Sequence, residues 1–163
     1  MQGEQVVGVI PMARTKTGMF STKAYTLVFT THRLILAEAR SDLVKAEIER
    51  SRAAAKEGGS GFLGQWGAQI KAGNAFGLHY MGVDPDAILA ETPGNTAVVP
   101  QEIRQLKVDR KSRSSGGGDD DFEREYLHVT LETAADKRTY DTDAEQPKLD
   151  DARAMAAWFT GPR

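Results

Sequence analysis

The sequence contains no cysteine among its 163 residues. This absence excludes disulfide bonds, thiolate metal sites and cysteine nucleophiles, and it suits a reducing compartment. No stretch approaches the roughly 18 consecutive apolar residues that a transmembrane helix needs. The segment from Met1 to Gln5 lacks the basic and then apolar pattern of a signal peptide. We therefore expect a cytoplasmic protein with no transmembrane segment.

The sequence also lacks an excess of charge of either sign. It has 21 basic and 23 acidic side chains, which give a net charge of −2. General nucleic-acid binders usually show a clear basic excess, so this balance argues against a nucleic-acid partner. The charge is nevertheless uneven, because residues 13–23 carry Arg14, Lys16 and Lys23 and no acid. A local patch that attracts an anionic partner is compatible with such a distribution.

Signatures of common enzyme classes are missing as well. Neither the G-x-S-x-G nucleophile motif, nor a P-loop, nor the H-E-x-x-H zinc motif occurs. His32, His79 and His128 are too scattered to predict a zinc site. The run Asp119–Asp121 lacks the alternating ligand spacing of a calcium loop, and a solvated acidic stretch is its alternative interpretation. We expect no enzymatic activity, no metal and no cofactor.

What the sequence does contain is a series of strand-like segments. A β-branched run covers residues 5–10, and residues 24–30 and 33–37 flank a tight connection and predict a hairpin. Further strands are predicted at residues 96–99, 103–108, 127–131 and 138–141. The segment 127–131 alternates between apolar and polar residues, which is typical of a strand with one buried face.

Two helices are predicted in the second half of the chain. Asp84, followed by a proline at the first helical position, begins a short helix. Pro147 opens a longer one, in which Leu149, Ala152, Ala156 and Phe159 share a face. The predicted fold class is α+β, with seven antiparallel strands in two bent sheets and a C-terminal helix that caps their open corner. One domain covers residues 1–163, with a flexible polar loop at residues 112–122.

Residues 41–82 form a predicted helical insertion between the third and fourth strands. Its second helix carries an apolar stripe on a glycine-rich segment, formed by Phe62, Leu63, Trp66 and Ile70. Such a stripe suits a membrane or partner surface, packing on the chain's own sheet, or contact between two copies. The sequence leaves these three alternatives open, and the stripe is a candidate interaction surface.

Three segments carry a resemblance to a known superfamily, and one of them is the predicted helix from Leu149 to Phe159, which matches the capping helix found there. Residues 25–36, Y-T-L-V-F-T-T-H-R-L-I-L, are similar to the hairpin common in pleckstrin-homology-like domains of the bacterial and GRAM-like types. Residues 98–103, V-V-P-Q-E-I, are similar to the corner that leads into the next strand there. The resemblance implies a seven-stranded barrel with a capping helix, and a scaffold for lipid head groups, peptides or protein partners that is rarely catalytic. Fold likeness alone does not set function.

The same resemblance implies an anion site near the first two strands. Arg14, Lys16 and Lys23 occupy the stretch where cations bind phosphates in members of the superfamily, and Arg33 could add to it. A solvated turn is the alternative for the first three residues, and a turn-stabilising role is the alternative for Arg33. We therefore expect a recruitment module for a protein partner or an anionic membrane surface. The alternative is a structural homo-oligomer that associates through the insertion.

Overall fold

The computed structural model describes residues 3–40, 42, 80–115, 122–142 and 147–162, without the side chains of residues 115, 122 and 123. Most of the predicted insertion, including all four residues of its apolar stripe, lies outside the described residues. The order of elements is β1 (Val6–Lys16), β2 (Thr22–Thr30), β3 (Leu34–Glu38), α1 (Pro85–Glu91), β4 (Thr96–Val98), a 3-10 turn (Pro100–Glu102), β5 (Ile103–Ser115), β6 (Phe122–Thr133), β7 (Lys137–Thr142) and α2 (Leu149–Thr160).

The seven strands form one curled antiparallel sheet in the order β4-β3-β2-β1-β7-β6-β5. The sheet is a half-barrel with β4 and β5 as its two edges, and α2 packs against β5. The predicted α+β class, the seven antiparallel strands and the closing C-terminal helix are thus confirmed. The two bent sheets of the prediction are joined into one, because β1 pairs with β2 on one side and with β7 on the other.

The concave face of the sheet holds the main core. Apolar side chains from six of the strands and from α2 meet there, and Phe29 packs edge-to-face against Phe159 with ring centroids 5.7 Å apart. The predicted stripe of α2 supplies Ala152, Ala156 and Phe159, all buried. The helix approaches β1 so closely that a Cβ on Gly8 would lie 2.1 Å from the Met155 sulfur. The absence of a side chain at Gly8 therefore allows α2 to pack closely against β1.

A second, smaller core covers the convex face of β1–β3. Val9, Val28 and Ile35 point to this face and pack with Tyr80 and Ile88. Ile88 lies on α1, whose N-cap is Asp84: its carboxylate accepts hydrogen bonds from the backbone amides of residues 86 and 87. The cap and the proline that follows it start the helix where the sequence predicts it. The continuous apolar runs of β2 and β3 are buried on both faces for this reason.

An irregularity in β1 connects the two parts of the sheet. Between Ile10 and Ala13 the strand has one more residue than β2, which is a β-bulge at Pro11 and Met12. Met12 has a φ of 55°. The Pro11 carbonyl accepts a hydrogen bond of 2.8 Å from the Thr142 hydroxyl at the end of β7. Because a bulge bends a strand and increases its twist, β1 can follow β2 and still reach β7. The β-branched run of the sequence ends at residue 10, but the strand continues through the proline to Lys16.

The hairpin of β5 and β6 is longer than the sequence predicts. β5 continues beyond residue 108 to Ser115 and pairs with β6 over its whole length. Residues 112–115, assigned to a flexible loop by composition, are therefore strand, as is Phe122. Backbone pairing with the partner strand stabilises these polar residues where intrinsic propensity does not. The remainder of the predicted loop, residues 116–121, lies outside the described residues.

Candidate functional site

A groove of about 940 Å³ opens beside the junction of β1 and β7. These two strands pair at one position, where Arg14 is opposite Asp141. The groove lies next to that pair, towards the β1–β2 hairpin and the start of β7. Its lining comes from β1 and its following turn, β2, β5, β6 and β7: Arg14, Thr15, Lys16, Thr17, Thr22, Tyr25, Arg113, Tyr126, Lys137, Arg138, Thr139 and Asp141.

The alternation of the strands decides which side chains reach the groove. Arg14 and Lys16 are two residues apart on β1, and Lys137 and Asp141 are four apart on β7, so each pair shares one face of its strand. Arg138 has the opposite parity. Its side chain lines the groove as well. A curled sheet thus gathers cations that are more than 120 residues apart in sequence.

The lining is strongly basic, with five cations and one carboxylate. Part of this charge is neutralised. Arg113 lies 3.5 Å from Asp141, and the Arg138 side chain donates to Asp136 at 2.7 Å, a hydrogen bond that is the main reason why the Arg138 pKa is raised. Lys16 and Lys137 are exposed, and neither takes part in an ion pair with any other described residue. These two ammonium groups are the part of the groove best suited to hold an added anion.

Two tyrosines form walls of the groove and make contacts behind it. The Arg113 guanidinium lies over the Tyr126 ring, 5.2 Å from its centroid, which restrains a long side chain that is otherwise exposed. Tyr25 packs edge-to-face on Tyr140, with centroids 6.1 Å apart, and so joins the groove to the concave core. Burial raises the pKa of the Tyr140 hydroxyl, and the neighbouring Arg138 opposes that shift.

The single carboxylate in the lining is held from outside the groove. Asp141 and His128 are directly opposite each other on β7 and β6, and the His128 Nδ1 lies 2.6 Å from an Asp141 oxygen. His128 has the outward orientation that the strand alternation predicts, and its side chain is 16% exposed. Because Asp141 lies 3.5 Å from the Arg113 guanidinium, it opposes an incoming anion less than a free carboxylate would.

The structure brings two of the four predicted anion-site residues together and places the other two elsewhere. Arg14 and Lys16 line the groove. Lys23 is 3.8 Å from Glu38 on the other side of β2, in a separate shallow pocket. Arg33 is held by Glu4 at 3.0 Å and by Asp86, and the hydrogen bond to Asp86 is the largest reason why its pKa is raised. In this position Arg33 links the segment before β1 to α1.

Sequence reasoning missed three cations of the groove. Arg113 falls in the predicted flexible loop at residues 112–122, Lys137 lies just before the predicted strand at residues 138–141, and Arg138 is the first residue of that strand. A signal for the last two is present, because adjacent basic residues at the start of a strand place one cation on each face. Their proximity to Arg14 depends on the pairing of the first strand with the last, which no local pattern reports.

Other sequence features add no further site. The spacing G-x-G-x-x-G occurs at residues 59–64, but a phosphate-binding motif of this kind requires a strand before it, and these residues lie outside the described part of the chain. Across the described ranges no group of three or more His, Asp or Glu side chains could hold a metal ion. Within those same ranges no helix is long and apolar enough to cross a membrane.

Comparison with protein-family models, with curated proteins and with solved structures finds no match to this chain. Any function proposed for the protein therefore depends on the groove and its charges.

Proposed function

We propose that this protein is a non-enzymatic binding module that recognises an anionic, phosphate-bearing group in the groove between β1 and β7. The observation that carries the proposal is the convergence of five cations on one groove with a single, already paired carboxylate. The curled sheet and closing helix are consistent with the pleckstrin-homology-like superfamily, and binding without catalysis is what that resemblance implies. An anionic membrane surface and a phosphorylated protein partner both present the required chemistry.

The groove offers the two kinds of donor that phosphate oxygens accept. Lys16 and Lys137 supply exposed ammonium groups, and charge-assisted hydrogen bonds of this type are about twice as strong as neutral ones. Threonine hydroxyls at positions 15, 22 and 139 line the same space and can donate to oxygens between the cations. A volume of about 940 Å³ has room for a head group with more than one phosphate.

The test is direct binding to two probes with the same chemistry. Isothermal titration calorimetry with inositol hexakisphosphate measures affinity for a soluble polyphosphate, and sedimentation with phosphatidylcholine–phosphatidylserine vesicles measures affinity for an anionic surface. We expect the double variant Lys16→Ala/Lys137→Ala to bind at least one probe about thirtyfold more weakly than the wild type, in keeping with the ~1 kcal/mol that each basic residue contributes near an anionic surface. Binding should weaken further as salt rises above about 0.1 M.

The control is a variant with the same loss of charge outside the groove. Lys107→Ala/Lys111→Ala removes two exposed lysines of β5 that do not line the groove. Equal weakening by the two double variants would show a nonspecific charge effect and would refute the groove. Failure of the wild type to bind either probe would refute the proposal altogether.

The structural homo-oligomer stays a prediction. It depends on the apolar stripe of the insertion, which lies outside the described residues.

A further inference from the structure

A row of charged side chains crosses four neighbouring strands beside the groove. From β5 through β6 and β7 to β1, the residues directly opposite one another are Asp109, His128, Asp141 and Arg14. Residues directly opposite in an antiparallel pair share a face of the sheet and have Cβ atoms about 4.5–5.5 Å apart. Histidine is the one side-chain type of this row whose charge ordinarily changes between about pH 5 and pH 8. The row therefore places a group that can respond to pH between two carboxylates.

The carboxylate on the β5 side has cations of its own. Lys107 Nζ lies 3.3 Å from Asp109 Oδ2, and a guanidinium nitrogen of Arg153 on α2 lies 3.8 Å from Asp109 Oδ1. Lysine and arginine ordinarily stay charged throughout the range in which histidine titrates. The charge of Asp109 is thus balanced by residues other than His128.

The carboxylate on the β7 side contacts the imidazole directly. His128 Nδ1 lies 2.6 Å from Asp141 Oδ1, and the His128 side chain is 16% exposed. When the imidazole is neutral, Nδ1 carries the hydrogen and donates it, and the carboxylate keeps its negative charge. When a second proton binds at Nε2, the same contact joins two opposite charges, and its burial limits screening by salt.

Asp141 is at the same time the carboxylate of the groove, where it lies among five cations. Its Oδ2 is 3.5 Å from the Arg113 guanidinium, so both of its oxygens face other side chains of the sheet. It is the lining group that repels an anion. Protonation of His128, which is not itself a lining residue, adds a positive charge directly beside this carboxylate.

We infer that His128 couples the affinity of the groove for anions to pH, and that the groove binds an anion more tightly when His128 is protonated. His128 acts through Asp141 and does not contact the anion, so it is a positioning residue for the charge of the site. The inference rests on the proposed function and gives its site a means of regulation.

The sign of the coupling follows from the charges. As the pH falls, the imidazole gains a proton, the charge of Asp141 is balanced, and the affinity for an anion rises. Coupling between two sites commonly changes affinity by roughly 5- to 150-fold, and we expect about tenfold because the imidazole acts through the carboxylate. By reciprocity, a bound anion favours the protonated imidazole by the same factor.

No other described side chain around the imidazole is of a type that titrates in this range. Besides the two aspartates and their cations, the neighbours that share its face are Tyr126 and Thr130 on β6, Lys107 and Lys111 on β5, and Thr139 on β7. Aspartate, lysine, arginine and tyrosine ordinarily change charge outside this range. A response of the groove between these pH values is therefore assigned to His128.

The experiment needs a probe whose own charge is constant, because phosphate groups gain protons near about pH 6. Inositol hexasulfate has the shape of inositol hexakisphosphate, and its sulfate esters stay ionised throughout the range. Isothermal titration calorimetry with the full chain should give an affinity about tenfold higher at about pH 5.5 than at about pH 8.

Two glutamine substitutions separate this histidine from the others. His128→Gln keeps a neutral hydrogen-bonding side chain, and it should bind the hexasulfate at both pH values about as weakly as the wild type does at the higher one. The matched control is His32→Gln, which removes an exposed histidine of the β2–β3 turn that does not line the groove. It should keep the full pH dependence, and circular dichroism checks that both variants fold.

The reciprocal effect is measured on the wild type itself. The imidazole resonances of His128 and His32 are assigned by NMR and titrated with pH, with and without saturating hexasulfate. The midpoint for His128 should move to higher pH by about one unit, which corresponds to a tenfold coupling. The midpoint for His32 should stay where it is.

The outcomes separate this inference from the groove. If His128→Gln keeps the pH dependence, if the wild type binds equally at both pH values, or if the His128 midpoint does not move, the coupling is refuted and the groove stands. Loss of the pH dependence in His32→Gln would assign the response to another part of the molecule and refute the coupling as well. If neither the hexasulfate nor inositol hexakisphosphate binds at either pH, the groove and the coupling are refuted together.

Discussion

The strands β2 and β3 are buried on both faces, whereas β5, β6 and β7 are covered on one. In the N-terminal half of the sheet, β1–β4, the concave core and the smaller convex core enclose the strands between them. In the C-terminal half, β5–β7, the convex side carries polar residues such as Lys107, His128 and Thr139. The groove lies where these halves meet, beyond the doubly buried part of β1 and β2, and its lining residues on those two strands are exposed or half-buried.

This difference shows which half of the sheet is stabilised more by packing and which half can present charged side chains to a ligand. Double burial removes apolar area from water on both sides of the backbone, at about 25 cal/mol per Å². It also excludes charged side chains from those faces. A half with one covered face has less packing and is able to present cations such as Arg113 and Lys137 to a ligand. Accordingly, three of the five groove cations come from the half that is covered on one side.

The sharpest test of the comparison is a substitution on the convex face of each half. Ile35→Ala truncates a side chain that is 0% exposed in the convex core, and it should destabilise the protein by about 2–4 kcal/mol through lost burial and a cavity. Thr139→Val on the convex face of β7 should change stability by no more than about 0.5 kcal/mol. Urea unfolding gives both values, and similar costs at the two positions would contradict the contrast between the halves.

A smaller effect is expected from the ion pairs of the two halves. Arg33→Ala leaves Glu4, whose side chain is 16% exposed, without its cation, and we expect a loss of about 1–2 kcal/mol after allowance for solvent screening. Arg110→Ala removes an exposed pair with Glu125 at 3.7 Å on the hairpin of β5 and β6. Its cost should stay below about 0.5 kcal/mol. Thermal unfolding of the two variants decides this prediction, which fails if Arg110→Ala is the more damaging.

A third effect, which is small at neutral pH and depends on pH, is expected from Tyr80→Phe. Burial raises the pKa of the Tyr80 hydroxyl, with a further contribution from its hydrogen bond to Glu91. A raised pKa in the folded state gives no stability change while tyrosine is neutral in both states. Above about pH 10, where an unfolded tyrosine ionises, the folded state keeps its proton and stability falls as pH rises.

Tyr80→Phe should therefore cost about 1 kcal/mol or less at neutral pH, through the lost hydrogen bond, and should flatten the alkaline decrease in stability. Urea unfolding of the variant and the wild type on both sides of pH 10 measures this. An unchanged alkaline slope would show that the convex core does not hold Tyr80 in its neutral form.

Much of the fold could be predicted from local patterns. The apolar runs of β2 and β3, the alternation of Leu127 to Leu131 and the face of α2 each report burial by their period, and the cap at Asp84 sets the start of α1. Local patterns misjudged the hairpin of β5 and β6, because polar residues such as Ser112 become strand through pairing with a partner rather than through their own propensity.

The candidate site was predictable only in part. Arg14 and Lys16 stand out by charge, and so does the absence of acids around them. The same signal selected Lys23 and Arg33, which the structure pairs with carboxylates at other places on the sheet. Charge in a sequence reports which residues are cationic, and it does not report which of them are already neutralised by a neighbour.

The sequence by itself determined the α+β class, the strand-rich plan, the closing helix and the basic character of the first hairpin. Each of these depends on periods and charges within a few neighbouring residues. Only the tertiary structure decided that β1 pairs with β7, and that Tyr80 and Ile88 cover the convex face of β1–β3. It also decided which cations line one groove: Arg14, Lys16, Arg113, Lys137 and Arg138. These features depend on contacts between distant segments, whose free energy arises when the sheet curls and is not encoded in any single stretch of the chain.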